Sequence, residues 1–341
     1  MCEKRLPTNY PITTTYPVDA NAAMIISNQK EYNVWLLNSF IQISSRVSSH
    51  PITYFDFHYR NCPLLYLQKI NKKLINTQEY DKLIYFLINA IDNGYYIYLI
   101  INRKYIKAYL TEKDSRHDML IYGYNLDKYI FYIADTFQNG KYSFETCTFN
   151  ELFEAVNNLS EEDNYYMGFN NSIELLSLKK YPEEALFNLR RVKESIIDYL
   201  ECRPTKYWYT QQFNWHNPMN NHLLGLDCYK LIYKELEYII ENRVISHTGW
   251  LSFHVMWEHK NIMLKRLYYL NENKMLNNSQ DVISEYHDIE RKTLLYRNQI
   301  IKYAYTVQKD DSIMKSLFKK YKEIEFCDRN IIETITKCII G

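Results

Sequence analysis

The sequence predicts an α+β chain, with an antiparallel sheet in the N-terminal half and an all-α C-terminal domain. Short β-branched and aromatic runs bounded by polar residues lie between Gly94 and Phe149, which is typical of strands. From Glu183 almost to the C-terminus, apolar residues recur at helical spacing. A chain of 341 residues is longer than an ordinary domain with one hydrophobic core. We therefore predict two domains, 1–175 and 176–341.

The segments before the sheet predict an extended arm and three helices. Residues 1–30 contain three prolines and read as an arm laid over a domain surface. Helical spacing begins at Tyr32. A second helix is predicted near Pro63, because the fixed φ of proline suits a first helical turn. A third begins at Asp81 and ends at Asn93-Gly94, a C-cap signal.

After Gly94 the spacing of apolar residues changes from the helical pattern to that of extended strands. Four strands are predicted, at Tyr95–Ile101, Met119–Tyr124, Tyr129–Ala134 and Lys141–Thr146, followed by a helix over Asn150–Asn157. The helices of the C-terminal domain are predicted at Glu183–Glu201, Leu223–Asn242, Leu251–Asn271, Gln280–Thr306, Ser312–Glu323 and Asn330–Ile339.

Charge and cysteine usage exclude several classes of function. Formal net charge is +1, from 41 basic and 40 acidic residues, so a nucleic-acid partner has no electrostatic support. The seven cysteines form no CxxC pair, which fits neither a disulfide framework nor a zinc site. No apolar run reaches the roughly 18 residues of a membrane span. We predict a cytoplasmic protein without a membrane partner.

The hairpin formed by the second and third predicted strands places a histidine opposite an aspartate. Its turn, Asn125-Leu126-Asp127, is centred on residue 126, so His117 and Asp135 lie equally far from the centre. Directly opposed strand residues have Cβ atoms about 5 Å apart, which lets a carboxylate orient an imidazole for acid–base chemistry. The alternative for an isolated pair is a strand-end histidine satisfied by a nearby carboxylate.

The surrounding sequence carries a family resemblance. The segment RHDMLIYGYNLDKYIFYIAD and its context, about residues 80–155, resemble the second half of papain-like cysteine peptidases. More narrowly, they are similar to the bacteriocin-processing peptidase group and the butirosin-biosynthesis protein H N-terminal-domain family. The segment WEHKNIMLKRLYYL, Trp257–Leu270, is similar to the C-terminal region of such biosynthetic homologues.

The resemblance implies a papain-like fold for the first domain and acyl transfer as the activity. In butirosin-type members, an acyl group passes from a carrier-protein thioester to an amine during natural-product assembly. It implies a thiolate at a helix N-terminus, His117 as base and Asp135 as its orienter. No cofactor is expected, since the substrate is carried on a phosphopantetheine arm. The partners implied are an acyl or peptidyl carrier protein and an amine acceptor. The sequence leaves open whether the chain also forms a homodimer.

The nucleophile is less clearly marked. The family's cysteine usually opens the first core helix, but residues 21–45 contain none. Cys62 is our candidate, since it precedes Pro63 at a predicted helix start where unpaired N–H groups favour a thiolate. Asn61 beside it is a candidate oxyanion donor, and Asp56 flanks the approach. The alternative is that Cys62 is a small buried hydrophobe.

The remaining candidates lie in the C-terminal half. Between Arg203 and Asn221 an aromatic, amide-rich segment is too long for a plain connection. Its Trp208 and Trp215 are candidate walls of an acyl or amine pocket, although an aromatic loop that packs between domains explains them equally well. Lys260, beside two histidines without metal-ligand spacing, is expected in a surface or interdomain pair.

Three functions remain from these observations. The first is amide-forming acyl transfer through Cys62, His117 and Asp135. The second is a catalytically inactive papain-like protein that binds a carrier protein or peptide, as the missing cysteine of the first helix suggests. The third is a hydrolytic peptidase, which needs the same residues and a cleft open to water.

Overall fold

A computed structural model describes residues 2–46, 51–138, 140–180, 186–205, 222–306 and 310–340. Its contacts divide the chain into two compact units. The first combines Met1–Asn33 with Cys62–Ala185, and the second combines Val34–Asn61 with Leu186–Gly341. The predicted boundary at residue 175 gave all of residues 34–61 to the first domain, whereas they pack within the second unit.

The described elements are numbered in chain order. The strands are β1 (Glu3–Arg5), β2 (Ile43–Arg46), β3 (Thr53–Tyr54), β4 (Leu65–Asn71), β5 (Tyr96–Asn102), β6 (Arg116–Asn125), β7 (Ile130–Thr136), β8 (Tyr142–Thr148), β9 (Ser172–Leu178) and β10 (His222–Leu224). The helices are α1 (Pro17–Ile26), α2 (Lys30–Leu36), α3 (Lys72–Ile75), α4 (Tyr80–Asp92), α5 (Phe149–Asn157), α6 (Leu189–Leu200), α7 (Tyr229–Asn242), α8 (His247–Glu272), α9 (Ser279–Tyr305) and α10 (Asp311–Cys338).

The first unit is built on a seven-stranded antiparallel sheet. Its order is β4-β9-β5-β6-β7-β8, and β1 pairs with part of β6. Strands β5 to β8 and helices α4 and α5 confirm the elements predicted between Asp81 and Asn157. β9, the last strand of this sheet along the chain, lies between β4 and β5.

Two predicted elements of the first unit are wrong. The helix predicted near Pro63 is the strand β4, which forms seven register pairs with β9. The arm predicted over residues 1–30 contains α1, in which every residue from Asp19 to Ile26 is buried. A helix buried on all sides lacks the alternation of apolar and polar faces that reveals a surface helix in a sequence.

Helices cover both faces of the sheet. Asn21 of α1 accepts a hydrogen bond from the Tyr142 hydroxyl at 2.7 Å. On the other side, the rings of Phe131 and Phe149 lie 4.5 Å apart and join β7 to α5. Because successive strand residues point to opposite faces, the register of β7 with β8 assigns Tyr142 and Phe131 to different faces. The helix α1 therefore covers one face and α5 the other.

The second unit consists of helices α6 to α10 and a three-stranded sheet in the order β10-β2-β3. The two helices predicted at the C-terminus are one, α10. Within this unit Lys260 and Asp328 are fully buried, with Nζ 2.6 Å from Oδ2. Tyr199 and Tyr229 donate to the same carboxylate oxygen at 2.9 and 3.1 Å. Lys260 thus forms an internal ion pair, not the surface or interdomain pair predicted.

Buried charges attach residues 34–61 to this unit. Arg266 of α8 donates to the carbonyl oxygens of Leu37 and Ser39, each at 2.7 Å. The Asp56 carboxylate accepts from the Ile41 N–H at 3.0 Å. Burial raises the pKa of Asp56, against the influence of that hydrogen bond and of Arg266.

In the described residues, no helix is both long enough and apolar enough to cross a bilayer.

Candidate active site

The predicted histidine–aspartate pair is in direct contact. His117 Nδ1 lies 2.9 Å from Asp135 Oδ2. The Asp135 side chain is fully buried, whereas 21% of the His117 side chain is exposed. The contact joins the beginning of β6 to the end of β7. The two side chains predicted to meet therefore do meet at one end of the sheet.

The register of the hairpin differs from the one predicted. The turn occupies four residues, 126–129, which displaces the pairing by three positions from the predicted one, and an irregularity between Ile121 and Gly123 takes one of these positions back. Leu120 is opposite Ala134, which makes His117 and Asp135 diagonal neighbours across the hairpin. An error of two residues keeps both side chains on the same face, whereas an error of one would have separated them.

Further contacts hold the Asp135 carboxylate in place. The Tyr109 hydroxyl donates to Oδ2, and the Thr136 N–H donates to Oδ1 at 2.6 Å. Burial, followed by the charge of Asp135, raises the pKa of Tyr109 well above its ordinary value. Tyr109 therefore stays protonated as a donor and orients the carboxylate that orients His117.

A second aspartate lies beside the histidine. The carbonyl oxygen of Asp118 is 2.8 Å from His117 Nδ1, and its carboxylate is 3.8 Å away. Tyr98 donates to that carboxylate. Burial raises the pKa of Asp118, although the His117 charge opposes this effect. The contacts of Asp118 and Asp135 with His117 all use Nδ1, and no described residue hydrogen-bonds to Nε2.

The charge of Asp135 decides the ionisation of His117. Burial by itself lowers the pKa of the imidazole, but the Asp135 charge and hydrogen bond outweigh it, with a smaller contribution from Asp118. Together they raise the pKa to about 9. At neutral pH His117 is therefore mainly an imidazolium whose Nδ1–H donates to Asp135, and it loses its proton as the pH rises through about 9.

This shift predicts a stability that depends on pH. The pKa of His117 is about 9 when folded and about 6.5 when unfolded. Its contribution is thus complete below pH 6.5 and is lost as the pH rises to 9, at most about 3 kcal/mol. The free energy of unfolding of the wild type, measured in urea, should approach that of His117→Gln over this window. A constant difference between the two proteins would contradict the assignment.

Cys62 does not join this pair. It follows a three-residue 3-10 turn and precedes a strand, so it does not lie at the N-terminus of an α-helix as predicted. The register through β5 and β9 aligns His117 with the Asn71 end of β4, and Cys62 precedes Leu65 at the other end. The two residues are separated by about 20 Å along the strands. Cys62 therefore lies too far from His117 in this structure to form the predicted pair with it.

The other described cysteines of the first unit are also remote. Cys147 pairs with Phe131, four residues along β7 from Asp135, and burial raises the pKa of its thiol. Cys2 accepts a backbone hydrogen bond from Leu126 at the hairpin turn, the far end of β6 from His117. The helix α1 contains no cysteine, and it covers the face of the sheet opposite to His117.

The remaining predicted site residues are not assembled with His117 by any contact. Asp56 and Asn61 belong to the second unit, where Asp56 holds the backbone at Ile41. Trp208 and Trp215 lie outside the described residues. Within the described part of the chain, no three His, Cys, Asp or Glu side chains converge as metal ligands would.

Two members of the site were missed in the sequence. Tyr109 lies in the connection between β5 and β6, and no local pattern relates it to Asp135. Asp118 had a signal, because a second acid directly follows His117.

No protein-family model matches the chain, and no curated protein matches it.

Proposed function

We propose that the first unit has a papain-like fold and that the protein transfers an acyl group from a carrier-protein thioester to an amine, without a covalent thiol intermediate. The observation that supports this most is His117, which Asp135 holds by Nδ1 while no described residue hydrogen-bonds to Nε2. This is the arrangement of an oriented general base.

The proposed reaction is a direct transfer. The amine nitrogen attacks the thioester carbonyl carbon while His117 Nε2 accepts the N–H proton. The C–S bond then breaks, and the carrier thiolate leaves with the proton from His117. Asp135 keeps the imidazole in orientation and stabilises its charge. The reaction needs no enzyme cysteine, which agrees with the distance of Cys62, Cys2 and Cys147 from His117.

A panel of acyl-pantetheine and acyl-carrier thioesters, incubated with primary amines and followed by intact mass, tests the proposal. Amide should form without an acyl adduct on the protein, and Cys62→Ala should retain the wild-type rate. His117→Ala should lower the rate by about 10²- to 10⁴-fold. The rate should rise with pH through about 9, as His117 is converted to its base form. A thiol adduct required for turnover, or an unaffected His117→Ala, contradicts direct transfer.

The second candidate is a catalytically inactive protein that binds a carrier protein or peptide. The absence of cysteine from the first turn of α1 favours it. In this case no pair of thioester and amine reacts, and carrier-protein affinity is equal in wild type and His117→Ala. Release of free acid instead of amide would identify a hydrolase.

A further inference from the structure

A polar cavity of about 500 Å³ lies in the first unit, away from the contacts of His117. It is bounded by α3, the end of α5 and the turn that follows α5. Its lining is rich in side-chain amides, from Asn76, Gln78, Asn157, Asn164 and Asn171. Amides supply both hydrogen-bond donors and acceptors, so this lining suits a polar ligand.

The cavity contains a buried lysine without a balancing charge. Lys72 is only 6% exposed, and its ammonium donates to Asn164 Oδ1 at 2.7 Å. Asn164 Nδ2 is engaged with the Ser160 carbonyl at 3.0 Å, which leaves its oxygen for the lysine. An ammonium has three donors, and the described residues accept from one of them. No carboxylate of the described residues pairs with Lys72.

A neighbouring lysine in β4, Lys69, shows the usual arrangement. Lys69 is more exposed, and its ammonium lies 3.2 Å from the buried carboxylate of Glu174. Lys72 is more deeply buried and has a neutral amide in place of the acid. Burial lowers the pKa of Lys72 to about 8. A bound anion would supply the missing charge and the missing acceptors together.

We infer that the Lys72 cavity is a binding site for the oxyanion of a small polar ligand, a phosphate or carboxylate group. Lys72 supplies the positive charge, and the remaining N–H of the Asn164 amide and the amide of Asn171 supply directional hydrogen bonds. The Asn157 amide already donates to the carbonyl oxygens of Thr77 and Phe153, so it bounds the cavity without binding the anion. Lys72 directly follows β4 at the end of the sheet that also carries His117, three strands away or about 14 Å. The oxyanion site does not require His117 to act as a base.

Titration of the full-length protein with sodium sulfate, inorganic phosphate and acetate by calorimetry tests the site. Lys72→Met should weaken anion binding at least tenfold, whereas Lys128→Met, an exposed lysine of the β6–β7 turn, should bind as the wild type does. Tighter binding of phosphate and sulfate than of acetate identifies a phosphate site, and the reverse order identifies a carboxylate site. Absence of binding for all three anions, or equal binding by Lys72→Met, overturns the inference.

The pH dependence of the wild type gives a second measurement that needs no variant. Sulfate keeps its charge between pH 6 and 10, so its affinity reports the protein alone. Affinity should fall up to tenfold per pH unit above about 8, as Lys72 loses its proton. The other titratable groups of the lining are Lys73, Glu161 and Tyr165, and Lys73→Met should retain this pH dependence. Sulfate affinity that is constant to pH 10 excludes Lys72 as the anion ligand.

Discussion

Replacing Asp328 by alanine should lower the free energy of unfolding by about 3 to 5 kcal/mol. The carboxylate is fully buried and holds the buried ammonium of Lys260 at 2.6 Å, together with two tyrosine hydroxyls. Without it, a positive charge remains in an apolar interior. Burial already lowers the pKa of Lys260, and Asp328 acts against that effect. Urea denaturation of the full-length variant measures the loss.

The same helix offers a matched control for this pair. Lys337 and Glu333 of α10 lie 2.7 Å apart, but both are exposed, so Lys337→Ala should change stability by less than about 1 kcal/mol. The double variant Lys260→Met/Asp328→Leu should recover most of the loss, because no unpaired charge remains. If Asp328→Ala is no more destabilising than Lys337→Ala, burial of the pair does not govern its contribution.

Asp135→Asn should reduce the rate of amide formation by about 10²- to 10⁴-fold. The amide keeps the size of the carboxylate but loses the charge that supports the His117 imidazolium. The His117 pKa, followed by NMR, should fall from about 9 toward its ordinary value. This readout separates an effect on the histidine from a general disturbance of the fold.

Asp118→Asn is the matched control, because Asp118 is also buried and its carboxylate lies 3.8 Å from the same nitrogen. Its effect on the rate should remain below about tenfold, since the Asp135 carboxylate is the nearer of the two, at 2.9 Å from Nδ1, and the substitution keeps the backbone carbonyl of residue 118. Equal losses in the two variants would mean that total negative charge matters, not the orientation of His117 by Asp135.

The sequence revealed the parts of the first unit in which local pattern and tertiary environment agree. Strands β5 to β7 are apolar runs between polar turns, and α4 ends at a glycine signal. Pro63 suits a helix start and so predicts a helix where β4 lies. The partner that makes this segment a strand is β9, which lies more than 100 residues later in the chain. Such long-range pairing leaves no local signal.

Hairpin symmetry predicts one part of the candidate site, the contact between His117 and Asp135. His117 and Asp135 were placed on one face, but the four-residue turn and the irregularity near Gly123 moved their register by two positions. Cys62 could not be placed correctly, because its distance from His117 follows from the strand order alone. Lys260 is predicted in a surface or interdomain pair because lysine seldom occurs in a core, and the acid that balances it is 68 residues away.

The position of β9 has a consequence for synthesis of the protein on the ribosome. Among the strands that the structure describes, β4 pairs with β9 alone, and β5 borders β9 on one side. Until Leu178 has left the exit tunnel, β4 has no neighbour and β5 exposes an unpaired edge. Such an edge is prone to pair with other chains, so a pause in translation before residue 178 should favour aggregation of the nascent chain.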